Sequence, residues 1–136
     1  EALLYAAARA QLVDQVILPA LARGEVVVAD RFIDSSLAYQ GVARGLGLEQ
    51  VLQANELATG GLMPDITLLL ELPPELAAAR RGETPDRIES ESDGFHAAVA
   101  EGFAAAAARF PERIHVVDAS GPPRAVLARV REAANL

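Results

Sequence analysis

The sequence predicts an α/β protein in which a parallel sheet is covered by helices on both faces, in three layers. Three short apolar runs are the first sign. "EVVVAD" (25–30), "DITLLLEL" (65–72) and "RIHVVDA" (113–119) have the length and composition of strands buried on both faces. Their spacing is the second sign. Helical patterns separate them in the order α-β-α-α-β-α-α-β-α, and strands joined through helices form parallel sheets by right-handed crossovers. The third is the start: Glu1 opens directly into a helical pattern that has no strand before it, so the first β-α-β unit is expected to be missing.

Each element has a local reason. Residues 2–23 read as a helix whose apolar face is Val13, Val16, Ile17, Ala20 and Leu21. Pro19 removes a backbone donor and should bend it, and Gly24 is placed to cap its end. Residues 34–40 suit a short helical segment, and 48–59 a longer helix stopped by Gly60-Gly61. Pro73-Pro74 begins a helix of about two turns, proline being tolerated at the first helical position. "RRGETP" (80–85) interrupts it. The spacing then predicts a helix over 87–109, with Asp86 as N-cap, Glu89 completing a capping box, and Phe95, Val99 and Phe103 on one face. A closing helix occupies 122–135. No repeat or linker divides the 136 residues, which read as one domain.

Composition removes several functions. A net charge of −7 argues against wrapping nucleic acid, which needs clustered positive charge. The chain has no cysteine, so no disulfide framework, which suits a reducing setting. No apolar run approaches the roughly 20 residues that span a bilayer, so no membrane partner is expected and the cytoplasm is the expected location. All twelve basic residues are Arg. Arg is the planar, two-pronged binder of phosphate; without Lys there is no residue to serve as the lysine of a phosphate loop.

Ligands of open α/β sheets bind beyond the carboxyl ends of the strands, where Asp30-Arg31, Glu71 and Asp118 are expected. Asp30 beside Arg31 suits a hydrated Mg²⁺ and a phosphate; a plain salt bridge is the structural alternative. Ser35, Ser36, Tyr39 and Gln40 follow within ten residues and offer the donors and acceptors that read a base and sugar. Tyr5 and Arg9, four apart, share a helix face and suit a planar ligand or a cation–π pair. Arg80, Arg81 and Arg87 surround a Gly-Pro stretch fit for a lid at about 80–87. His96 and His115 stand apart and are read as structural.

Together "YAAARAQ" (5–11), "DRFIDSSLAYQG" (30–41), "PDITLLLEL" (64–72), "DRIESE" (86–91) and "VVDAS" (116–120) resemble the bacterial thymidylate kinases, in order and spacing, over nearly the whole chain. The resemblance implies a P-loop kinase fold and transfer of a phosphoryl group from ATP to dTMP, giving dTDP and ADP, with Mg²⁺. It implies that Asp30 serves the magnesium shell through water and that Arg31 grips the acceptor phosphate. Ser36 and Gln40 would bond the thymine, Tyr39 would lie against the deoxyribose, Tyr5 would stack on the base, and Arg9 would donate to the 4-carbonyl. Arg81 and Arg87 would be catalytic lid residues, with Arg80, Ala119 and Ser120 on the ATP side. A homodimer through the first helix is implied as well. The family's opening strand and Gly-rich lysine loop are not in these residues, so the chain as printed is expected not to turn over dTMP. Another deoxynucleotide or deoxynucleoside kinase, or a non-catalytic flavodoxin-like module, is the alternative.

Overall fold

The computed structural model describes residues 1–80 and 91–135, with side chains throughout except at 78–80. A long helical run opens the chain as α1 (Ala2–Leu12), one wide π-type turn (Val13–Ile17) and α2 (Leu18–Ala22). The wide turn sits directly ahead of Pro19, and the Leu18 amide reaches back five residues to the Val13 carbonyl. The bend expected of Pro19 therefore takes the form of a widened turn, one of the few ways a helix absorbs a lost donor. Gly24 ends the run at φ +76°, a conformation cheap only for glycine. Of the expected apolar face, Val13, Ile17 and Ala20 are buried while Val16 and Leu21 are exposed.

The stretch 25–30 is a correction. It carries strand composition but forms no ladder, and Val26 and Val28 are 90% and 91% exposed. β-branched residues favour an extended backbone, but a strand also needs a neighbour for its amides and carbonyls. Among the described residues the sheet has two strands, β1 (Thr67–Glu71) and β2 (Ile114–Asp118), and 25–30 pairs with neither. The parallel pairing is as expected, running from Thr67 opposite Ile114 to Glu71 opposite Asp118.

Between 25–30 and β1 lie α3 (Ile33–Ser36), a second wide turn (Leu37–Ala43) and α4 (Leu48–Thr59), which Gly60 closes in the left-handed conformation. The crossover from β1 to β2 contains α5 (Pro74–Arg80) and α6 (Asp93–Arg109). α6 begins at Asp93, later than expected, because Ser92 is its N-cap: the Ser92 hydroxyl accepts from the Phe95 amide at 3.2 Å. The expected capping residues Asp86 and Glu89 lie outside the described residues. α7 (Pro123–Ala133) closes the chain and packs on β2.

The core collects Ile33, Leu37, Val51, Leu52, Ala106 and Ile114 from the second helical run, α4, α6 and β2. α6 lies against the wide turn 37–43 so closely that the backbones touch: a Cβ at Gly102 would stand 2.6 Å from Ala38 Cα. Gly102→Ala should therefore destabilise the fold by about 1–3 kcal/mol, overpacking outweighing the ~1 kcal/mol that alanine gains in a helix. Urea denaturation reads this directly; an unchanged midpoint would mean that the two segments part without cost.

Candidate functional site

The floor of the candidate site is the segment from Asp30 through the wide turn 37–43. Asp30 is exposed, and Arg31 follows with φ +69°, a left-handed backbone that a non-glycine residue adopts at a cost of about 1–2 kcal/mol. The Arg31 guanidinium lies 5.5 Å from the Tyr39 ring centroid and donates to the Tyr39 hydroxyl at 3.4 Å. Tyr39 is itself lodged against α6, edge-on to Phe103 at 6.0 Å and tilted to Phe95 at 6.2 Å. In place of the salt bridge that was the structural alternative, Arg31 is turned onto an aromatic cluster.

Arg9 does not pair with Tyr5. Its guanidinium stacks on Phe32, 5.3 Å from the ring centroid, and donates to the Asn55 side-chain carbonyl, to the Phe32 backbone carbonyl at 3.1 Å and to Ser36 Oγ at 3.0 Å. The i, i+4 spacing offered Tyr5 as a neighbour, but burial against a ring 23 residues away excludes more water. That burial lowers the Arg9 pKa from its usual value, the nearby Asp34 carboxylate working in the opposite direction. Arg9 stays charged, since an arginine titrates far above neutrality. Ser36 is buried beneath it and keeps its own hydroxyl proton for another acceptor.

Gln40 is also buried, and its amide nitrogen donates to the Glu1 carboxylate at 2.9 Å. This fixes the amide with its carbonyl oxygen facing away from Glu1. Glu1 and Tyr5, with Leu4 and Ala8, line an open cavity of about 300 Å³, at the lower end of ligand-pocket sizes. Tyr5 is exposed on that wall.

Beneath the floor lies a buried ion pair that the sequence did not reveal. Arg113 donates to both oxygens of Asp34, at 2.6 and 2.9 Å, and Thr67 Oγ1 donates to Asp34 at 2.9 Å. These three residues tie α3 to the starts of β1 and β2. Asn55, Asp34 and Arg113 are linked to the site only through space, 46 and 79 residues from their partners. The one local hint was an Asn in a helix interior, a poor helix former that needs a reason to be buried.

At the carboxyl edge of β2, Ala119 is buried and its amide donates to the Glu71 carbonyl at 2.8 Å. Ser120 is folded back on Asp118: its amide and hydroxyl each donate to that carboxylate at 2.8 Å. The Ser120 hydroxyl and then the Ser120 amide hold the Asp118 carboxyl below its usual range, with desolvation opposing them and the Arg129 charge adding a lesser lowering. Arg129 also donates to the Asp118 and Ser120 carbonyls, so the loop is clasped from α7. Arg80 is the last residue of α5, and Arg81 and Arg87 lie outside the described residues. His96 faces Phe95 edge-on at 6.0 Å.

A family model described as thymidylate kinase matches residues 1–130. The chain belongs to the thymidylate kinase family. It is 56% identical over 130 residues to a thymidylate kinase of Synechococcus sp. (strain JA-2-3B'a(2-13)), covering 96% of this chain and 63% of that protein. It is 54% identical over 136 residues to one of Alkalilimnicola ehrlichii, covering 98% of this chain and 63% of the relative. To that of Symbiobacterium thermophilum it is 56% identical over 121 residues, 88% of this chain and 56% of the relative. The chain thus spans less than two thirds of the length of these thymidylate kinases. The family has the P-loop kinase fold, and membership weighs against the flavodoxin-like module. No helix among the described residues is long and apolar enough to cross a membrane.

Proposed function

We propose that this chain forms the dTMP-binding part of an enzyme that transfers the γ-phosphoryl group of ATP to dTMP, giving dTDP and ADP. The observation that carries the reading is the Arg9 guanidinium, half-buried and held by three acceptors. A guanidinium has five donor hydrogens, so donors remain for a ligand carbonyl after these three bonds. Thymine presents a carbonyl at its 4-position; cytosine presents an amino donor there, which would meet Arg9 donor to donor. The Gln40 side-chain carbonyl, the end of the amide not bonded to Glu1, would complement the N–H at position 3 of thymine. Tyr5, exposed on the wall of the cavity that Glu1 shares, would supply a ring for the base, and Tyr39, near Arg31, a wall against the sugar.

Mg²⁺ fits Asp30. This ion keeps several waters and binds through one or two carboxylates plus substrate phosphates, and Asp30 is a single exposed carboxylate beside Arg31. Bound there, Mg²⁺ would neutralise charge on the transferring phosphates. Arg31 would hold the acceptor phosphate, and the clasped Ala119-Ser120 loop would flank the adenine of ATP. Leu3, Leu4, Leu12 and Val16 form an exposed apolar stretch on the opening helical run, which supports a homodimer through it.

The test is titration of the chain with dTMP and dCMP. A charge-assisted hydrogen bond contributes roughly 1.5–3 kcal/mol, so dTMP should bind about one to two decades more tightly. Arg9→Met should remove that preference. It should also lower the melting temperature, because Asn55 and Ser36 lose a buried partner. Equal affinity of the wild-type chain for the two nucleotides would overturn the reading.

A further inference from the structure

We infer that Asn55 is a positioning residue for base recognition: its side-chain carbonyl fixes the Arg9 guanidinium, so a residue remote from the nucleotide sets the preference for a base with a 4-carbonyl. The inference rests on the dTMP reading above.

Asn55 sits in the third turn of α4 and is 2% exposed. Asparagine inside a helix competes with the backbone for hydrogen bonds, and a fully buried amide must find partners for both ends. Here both ends are satisfied. The Asn55 nitrogen donates one turn back to the Val51 carbonyl at 2.7 Å, and the oxygen accepts from Arg9 Nη1. This arrangement allows only one orientation. Flipping the amide would set its NH₂ against the guanidinium, donor against donor, and would break the bond to Val51.

Arg9 is thereby gripped from two separate elements. Asn55 on α4 holds Nη1, while the Phe32 carbonyl and Ser36 hydroxyl, on the floor segment, hold Nη2. Two fixed points on different nitrogens define the plane of the guanidinium and its rotation about the side-chain axis. With Asn55 removed, Nη2 would remain tethered and the group could swing about it. Recognition of a base edge requires the donors to be in place before the ligand arrives, since ordering a long side chain at the moment of binding weakens affinity. Stacking on Phe32 sets the height of the plane but not its rotation.

The test compares the 136-residue chain with Asn55→Leu, Asn55→Asp, Arg9→Met and the Asn55→Leu/Arg9→Met double variant. Each is titrated calorimetrically with dTMP and dCMP and melted without ligand. Asn55→Leu, which keeps the volume but not the acceptor, is expected to cut the dTMP-over-dCMP preference by about tenfold, on the scale of one charged hydrogen bond. Asn55→Asp keeps an acceptor oxygen and should retain most of the preference. In the Arg9→Met background, Asn55→Leu should change the preference no further. A folded Asn55→Leu chain with unchanged preference, or an equal loss on top of Arg9→Met, would overturn the inference while leaving the dTMP reading intact. A wild-type chain without preference overturns both. Should Asn55→Leu fail to fold, nitrogen NMR of the wild-type Arg9 side chain decides: hindered rotation with separate Nη signals is expected, and freely averaged signals would overturn the inference.

Discussion

Asp34→Ala should destabilise the chain by about 3–5 kcal/mol, a large share of the roughly 5–15 kcal/mol by which ordinary domains are stable. Asp34 and Arg113 are both nearly inaccessible, their side chains 8% exposed, and the pair is two-pronged. Losing the carboxylate leaves a guanidinium in the interior with Thr67 Oγ1 as its remaining hydrogen-bonded oxygen. Arg113 Nε has no hydrogen-bond partner among the described residues even now, so no spare acceptor stands ready. Stacking on Phe110 at 4.4 Å does not replace a counter-charge. Asp34→Asn distinguishes charge from geometry, since it keeps one acceptor and should lose less. The double change Asp34→Leu/Arg113→Met removes both charges and should recover most of the stability, because a buried pair often contributes little net over apolar residues. Denaturant unfolding of the four chains measures this. If Asp34→Ala shifts the midpoint by less than about 1 kcal/mol, the pair is solvated and does not hold α3 to the sheet.

That pair also shows where sequence reasoning stops. Features decided within a few residues were legible: the stops at Gly24 and Gly60, the start at Pro74, the bend ahead of Pro19, the helix 48–59. Each depends on backbone freedom or a missing amide, which are local properties. The stretch 25–30 was misread because its valines encode a preference, whereas a strand is a relation with a second segment. Arg9 was given Tyr5 as its neighbour, and the structure gives it others. Helical spacing proposed Tyr5, and packing supplied Phe32, Ser36 and Asn55, all distant in the chain. Ser92 caps α6 because its hydroxyl directly precedes the helix and accepts from the Phe95 amide, while Asp86 lies outside the described residues. The polar side chains of the Asp30–Gln40 segment stood out as a group because they crowd an apolar context. Which of them face a ligand and which support another side chain depends on contacts made at long range.

Arg31→Ala is expected to cut kcat/KM by about a thousandfold or more, in a polypeptide that joins this sequence to the remaining length of its relatives. Arginine contacts to transferring phosphoryl groups are worth that much because they act on charge that spreads in the transition state. Arg31→Lys should recover little, since a point charge cannot form the two-pronged contact. The backbone sharpens the test. Arg31 holds φ +69°, and among the described residues its side chain makes only exposed contacts with Tyr39. A residue retained in a strained conformation with little stabilising contact points to a role outside stability. Arg31→Gly relieves a strain of about 1–2 kcal/mol and gives back about 0.5–1 kcal/mol through the freer unfolded chain. The glycine variant should therefore melt no lower than wild type, while losing activity as fully as Arg31→Ala, which keeps the strain. Steady-state kinetics and thermal melts on the three variants separate the two effects. A glycine variant that loses stability and activity together would show Arg31 holding the segment in place, and a lysine variant near wild type would make it a simple positive charge.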